Sequence, residues 1–262
     1  ALKEKLFAAP HEDRVKINES GSIILLPAPN GQLQQFRVVE SPVMATELAA
    51  AYPQLKTFSV KGIDDPYANG KVDWVESGFH AAIRSVNGDF FIDPYAVGNV
   101  SDYISYYTAD FVKDPSQRST EEGVIGANTD EDSNTPKTGM KGTQILSPGP
   151  CVGALRRNYR LAVACTGEYA IAATGFPNPT LAQTLSRIVT SVNRVTGVYE
   201  TEVAVRLVLV PTETMVIFTN PNTDPFTANN NGGTLLGQSH TVITNTIGSA
   251  NFDIGHIFST GG

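Results

Sequence analysis

Few side chains in this chain could do chemistry. There are four histidines (His11, His80, His240 and His256), two cysteines (Cys151 and Cys165), and a pair of adjacent carboxylates held before a proline, Asp64-Asp65-Pro66. No two histidines stand at the i, i+4 spacing that would put two imidazoles on one helix face around a metal. His11 lies in a polar stretch and is expected to be exposed. His80 alternates along a strand, and His240 falls in the middle of a helix. His256 sits inside an apolar segment, where a hydrogen-bonded structural histidine is expected rather than a ligand. The cysteines are fourteen residues apart and carry two readings: one disulfide, or two unpaired thiols with Cys165 filling a strand. No Cys or His pair accompanies them, so they do not form a zinc pattern. Asp64 and Asp65, after Gly62, sit in a constrained turn. They read either as an Asx-type turn or as a functional carboxylate. Asp93-Pro94-Tyr95 is a similar, weaker case. No nucleophile elbow, phosphate loop or dinucleotide fingerprint occurs.

Composition narrows the partners. Residues 151–262 hold six Arg, no Lys and six acidic residues, while 1–150 hold 13 basic and 20 acidic residues. A neutral half beside an acidic half offers no basic face for nucleic acid. The apolar content of 41% suits a folded domain, and no apolar run is long enough to span a bilayer. The N-terminus has no basic-then-apolar signal pattern, so a secreted form is expected to have lost its signal. The break in charge near residue 150 marks two units.

These residues need elements to position them. Segments 22–26 and 34–39 flank Asn30-Gly31, and 81–86 and 89–93 flank Asn87-Gly88. Asn-Gly between apolar runs predicts hairpins in which both turn residues take positive φ. A strand at 71–75 joins Phe79 through Ser77-Gly78, and a short helix at 44–51 ends before Pro53. The sum over 1–112 is an antiparallel meander. Residues 113–150 read as a flexible acidic linker, rich in Ser, Thr, Gly, Pro and Asn, with Arg118, Lys137 and Lys141 as sites open to a protease.

Residues 151–262 change period. A strand at 159–165 precedes a helix carrying Leu181, Leu185, Ile188, Val189, Val192 and Tyr199 at helical spacing. Asn178 is its expected N-cap, with Pro179 at the first helical position and Gly197 near its end. A buried strand is expected over 202–210 and a short one over 215–218. A second helix capped by Thr234 should run to Ile247, and a third buried strand should cover 252–258. Strands alternating with helices predict a mostly parallel sheet.

The second half resembles the start of the catalytic domain of secreted bacterial reprolysin-like zinc metallopeptidases, within the metzincins. The resemblance rests on 159–169 (YRLAVACTGEY), 188–200 (IVTSVNRVTGVYE), 204–210 (AVRLVLV), 223–226 (TDPF) and 247–262 (IGSANFDIGHIFSTGG). The first half resembles the same family's propeptide. Its marks are 36–47 (FRVVESPVMATE), 62–66 (GIDDP), 73–80 (DWVESGFH), 91–95 (FIDPY) and 103–107 (YISYY). The implied fold class is α+β: an antiparallel β-rich propeptide-like domain at 1–112, then a mixed, mostly parallel α/β partial metzincin-like sheet at 151–262.

The resemblance implies zinc for the parent enzyme, a peptide or protein substrate and an extracellular location. It also implies an edge strand and a helix bearing HExxHxxGxxH beyond this sequence, so no zinc ligand carries over and the chain alone is expected to be inactive. The propeptide would inhibit or chaperone. A cysteine switch is excluded because 1–150 has no Cys, which leaves Asp64 or Asp65 as candidates to occupy the zinc. The strand at 252–258 is expected to pair with the C-terminal half of the catalytic domain. The alternative is a non-catalytic assembly protein that pairs through that strand with a copy of itself.

Overall fold

The computed structural model describes residues 1–112 and 155–261. Period-two alternation builds the first unit. It comprises α1 (Leu2–Phe7), β1 (Ile23–Pro27), β2 (Leu33–Glu40), α2 (Thr46–Ala51), β3 (Lys56–Gly62), β4 (Asn69–Val75), β5 (Gly78–Arg84), β6 (Phe90–Pro94) and β7 (Tyr103–Tyr107). The seven strands form one curled antiparallel sheet in sequence order, each hydrogen-bonded to the next. One face carries Ile24, Leu26, Phe36, Phe58, Val60, Phe79 and Ile83 in a core closed by Leu2, Leu6 and Phe7. Along β4 the next residues in register point the other way. Lys71, Asp73 and Val75 leave this core, and Asp73 lies directly opposite His80 of β5.

The second unit contains β8 (Arg157–Cys165), α3 (Gly167–Thr174), α4 (Leu181–Val203), β9 (Val205–Leu209), α5 (Gly232–Ile247) and β10 (Ile254–Phe258). Its sheet is parallel, in the order β10-β8-β9. Central β8 is apolar on both faces. Leu161, Val163 and Cys165 pack with Leu185, Ile188, Val189 and Val192 of α4, while Ala162 and Ala164 pack with Leu235, Ile243 and Ile247 of α5. Helices therefore cover both faces of the sheet.

The meander and the parallel sheet agree with the sequence reading, but several details differ. In both Asn-Gly turns only the glycine has positive φ, +83° at Gly31 and +114° at Gly88. The turns close through Gly31 N–H to Ala28 O and Gly88 N–H to Ser85 O, so each glycine ends a four-residue turn instead of sharing its centre with Asn. The cap of α4 is Thr180 rather than Asn178. The Thr180 hydroxyl accepts from Gln183 N–H and the Gln183 side chain accepts from Thr180 N–H, which completes a capping box. The helix runs past Gly197 to Val203, so 202–203 are helical and β9 begins only after Ala204, whose φ of 54° ends the helix.

Asn231 caps α5, accepting from the N–H of Thr234, the residue expected to be the cap. Residues 215–218 form no strand. A 3₁₀ turn spans Glu213–Val216, and Ile217 makes a single bridge to Cys165. The helix expected from 44 starts at Thr46, because 43–45 are extended beside β9. The strand expected to be buried at 252–258 is β10, and Ile254, Gly255 and His256 are exposed because its outer side has no partner among the described residues. Elements α1, β3, β7 and α3 had no counterpart in the sequence reading. The linker sites Arg118, Lys137 and Lys141 lie outside the described residues.

Candidate functional site

Helix α4 is buried on two sides with different chemistry. Its apolar side rests on β8 and β9. A second stripe, Ser186, Thr190, Asn193 and Gly197, recurs at i, i+4, i+7 and i+11, and so occupies one helix face. Ser186, Thr190 and Asn193 are buried, although small polar residues at this spacing ordinarily face water. What covers them is the polar face of the meander. Asp73 is the hub of this contact, at 1% exposure. Its Oδ1 accepts from Thr190 Oγ1 at 2.9 Å and lies 3.0 Å from His80 Nδ1. Its Oδ2 accepts from Asn193 Nδ2 at 3.3 Å, and the same amide donates to Val72 O at 3.1 Å. A Cβ on Gly197 would lie 2.8 Å from Lys71 Cγ, so glycine permits the close approach of β4.

One turn further along, charges replace neutral partners. Lys71 is buried and pairs with Glu200 at 2.6 Å while donating to Ser59 Oγ at 2.9 Å. Burial lowers the Lys71 pKa, with Glu200 opposing. Arg206 of β9 is buried and pairs with Glu200 and with Glu12 from the N-terminal unit, and it donates to Ser41 Oγ at 2.8 Å. Burial works against the Arg206 charge, but Glu12 and Glu200 outweigh it and its pKa is raised. Burial likewise works against the Glu12 carboxylate, and Arg206 overcomes it, holding the pKa below the ordinary value. Buried charges are tolerated only when paired and hydrogen-bonded, and here each has partners from both units.

The N-terminal unit also closes the sheet edge. Ala45 N–H donates to Leu209 O at 2.9 Å and Leu209 N–H to Val43 O at 2.8 Å, so 43–45 run parallel to β9 as a short added strand. Val43, Met44, Leu48, Leu55 and Val75 join the same core as Leu161, Leu185 and Ile188. The two units thus share one hydrophobic core across their boundary.

The candidate residues from the sequence are not brought together. Asp64 accepts from Gln35 N–H at 2.7 Å. Asp65 accepts from Ser85 Oγ at 2.7 Å and from Tyr67 N–H at 3.0 Å, the latter an Asx turn. The Ser85 hydroxyl is the main cause that lowers the Asp65 pKa. All these partners belong to the first unit. His11 is half-exposed, His80 is bound to Asp73, and His256 is exposed, its ring edge-on to Phe258 with centroids 5.1 Å apart. The thiol of Cys165 is buried and donates to Phe218 O at 3.6 Å, and burial pushes its pKa up to about 12. Cys151 lies outside the described residues.

Sequence reasoning missed Glu213. It is fully buried, and its Oε1 accepts from Val163 N–H at 3.0 Å where β9 has ended and β8 would otherwise lack a partner. Its Oε2 has no partner among the described residues, and burial raises its pKa well above the ordinary value. The signal was a lone acid between apolar runs, PTETMVIF, which also reads as a surface turn.

Residues 155–262 match the profile of metallo-peptidase family M12B, reprolysin-like. The match covers the parallel sheet with α3, α4 and α5, and none of the meander. Over these residues the chain is similar to a reprolysin-like peptidase domain, of a family that is zinc-dependent in general. No curated protein matches the chain. No solved structure matches it either. Among the described residues no group of three or more His, Cys, Asp or Glu side chains is placed to hold a metal ion. The two histidines of the reprolysin-like unit, His240 and His256, lie on different elements. The residues present do not fit a zinc site. No helix among the described residues is long and apolar enough to cross a membrane.

Proposed function

We propose that residues 155–262 are the opening part of a zinc endopeptidase domain and that residues 1–112 are its prosegment, acting outside the cell on peptide or protein substrates. The match to the reprolysin-like family over 155–262 carries the first half of this reading. Supporting the second half is the use the meander makes of its polar face. Asp73, Lys71 and Glu12 satisfy Asn193, Thr190, Glu200 and Arg206, groups that would otherwise be left unpaired where α4 and β9 meet the meander. A prosegment that supplies hydrogen-bond partners to a folding domain acts as a template, and the same contacts hold it in place. The zinc ligands belong to none of these residues. Asp64 or Asp65 as the group that masks the zinc remains part of this proposal, and it requires the β3–β4 turn to approach a cleft supplied by other residues.

Peptidase activity of the full gene product against a quenched fluorescent peptide is the test, before and after a tryptic nick between residues 113 and 154. Activity that appears on nicking and disappears with a chelator is the expected result. No activity under either condition would sink the reading. A second reading, assembly through strand addition, draws on the outer edge of β10, which has no partner among the described residues. Sedimentation of this chain separates the two, since assembly requires a concentration-dependent oligomer and the prosegment reading does not.

A further inference from the structure

A cavity of about 310 Å³ lies between the two units, away from the buried charge network. The meander contributes His80, Asp93, Pro94 and Val97, and the reprolysin-like unit contributes Tyr169, Arg187, Thr190, Ser191 and Arg194. Arg187, Thr190, Ser191 and Arg194 stand at i, i+3, i+4 and i+7 on α4, so one helix face presents two guanidinium groups to the same space, with the Thr190 hydroxyl between them donating to Asp73.

The two arginines are in different states. Arg194 pairs with Asp93 and stacks on Phe91, its guanidinium carbon 4.8 Å from the ring centroid. The second oxygen of Asp93 accepts from Tyr106 OH at 2.8 Å, so this carboxylate is fully engaged. Its pairing raises the Tyr106 pKa to about 12, after burial, which keeps the phenol a donor. Arg187 makes no ion pair or side-chain hydrogen bond among the described residues; burial lowers its pKa, and Tyr169, Asp93 and Asp73 offset this only in part. Arg194 Nε is also shielded from solvent with no acceptor among the described residues. The shielded Arg194 N–H is the costly one, and the half-buried Arg187 fork offers further donors on the same helix face.

We propose that this cavity is an oxyanion-binding site, taking a small phosphate or carboxylate group between Arg187 and Arg194. Asp93 pairs with Arg194 and Asp73 lies behind His80 and Thr190, so the donors left for an anion are those of the unpaired Arg187 fork and the Arg194 Nε. The volume admits such a group with several waters, each needing about 30 Å³. Both units line the cavity, so the anion binds only when they are docked and reinforces docking by mass action.

Titration calorimetry on the intact chain, with inorganic phosphate and separately with acetate at constant ionic strength, tests this. Saturable one-site binding of either probe is expected, together with a rise in Tm. Arg187→Gln should weaken binding at least tenfold. Asp93→Asn frees Arg194 and removes the opposing charge, so it should tighten binding by a similar factor. The opposite signs separate a binding role from a folding defect, which would weaken both variants. Phosphate and acetate compared with each other identify the preferred head group. Absence of saturable binding by both, wild-type affinity in Arg187→Gln, or weakening in Asp93→Asn would each overturn the proposal.

Discussion

On the β9 side of the parallel sheet, Leu209 exchanges backbone hydrogen bonds with Val43 and Ala45, and polar residues of the meander lie buried against α4. On the β10 side, 254–258 pair with β8 alone among the described residues, and Ile254 is 38% exposed. Asp73, at 1%, is far more buried than this isoleucine. The usual ranking of residue types is inverted between the two flanks. Burial here follows the presence of a docked partner, and the partner is tolerated because it satisfies each polar group it covers. An edge without a partner keeps its backbone groups and apolar side chains in water, a state that invites pairing.

The sharpest way to break this contrast is to remove the hub of the covered flank. Asp73→Ala leaves His80, Thr190 and Asn193 buried without their common acceptor. We expect a loss of about 3–4 kcal/mol in urea unfolding, the range for a buried charged partner removed alone. A loss under about 1 kcal/mol would mean that the shared apolar core alone holds the units together.

Arg206→Met comes next, at about 2–3 kcal/mol, because it removes the buried cation shared by Glu12 and Glu200, leaving Glu12 only the longer contact to Arg156, while keeping the volume of the stem. Adding Glu12→Gln to Arg206→Met should cost less than the sum of the two single changes, since Glu12 then has no charge left to strand. A strictly additive double variant would remove the argument that these groups act as one network.

How much of this was legible follows the same line. The meander and the parallel sheet were readable because apolar periodicity and turn glycines are local. The polar stripe on α4 has helical spacing, yet spacing cannot say whether a stripe faces water or another polar face. Lys71, Asp73 and His80 likewise alternate along β4 and β5 as solvent-facing residues would. Only the docking of one unit on the other decides their burial. The caps were misplaced by two or three residues because Asn178 and Thr234 are as competent chemically as Thr180 and Asn231. Asp64-Asp65 stood out as an unusual pair, and its contacts within the first unit account for the turn it makes.

Glu213→Gln tests a gap on the covered flank, where β9 ends and a side chain takes over. The folded state holds the Glu213 proton to higher pH than the unfolded chain does, so stability is full below the ordinary glutamate range. It falls as pH rises through the raised folded value. Glutamine keeps the acceptor for Val163 N–H and carries no charge to bury. The variant should gain about 1–2 kcal/mol at pH 8 and little at pH 4. A wild-type pH slope retained in the variant would assign that slope to other groups.

The smallest effect belongs to the bare flank. Ile257 sits mid-strand in β10, half-buried against the α5 side of the sheet, next to exposed His256. Ile254→Lys, at the exposed start of the strand, removes less contact and should change stability by under about 0.5 kcal/mol. Its expected effect is on association instead, because a charge on an edge opposes strand pairing. If the bare edge drives oligomers, sedimentation at high protein concentration shifts toward monomer in Ile254→Lys and stays unchanged in a control such as Val195→Lys on exposed α4 surface. Equal behaviour of the two variants would mean that β10 is open but not adhesive, and that the contrast between the flanks concerns satisfaction of the backbone rather than apolar exposure.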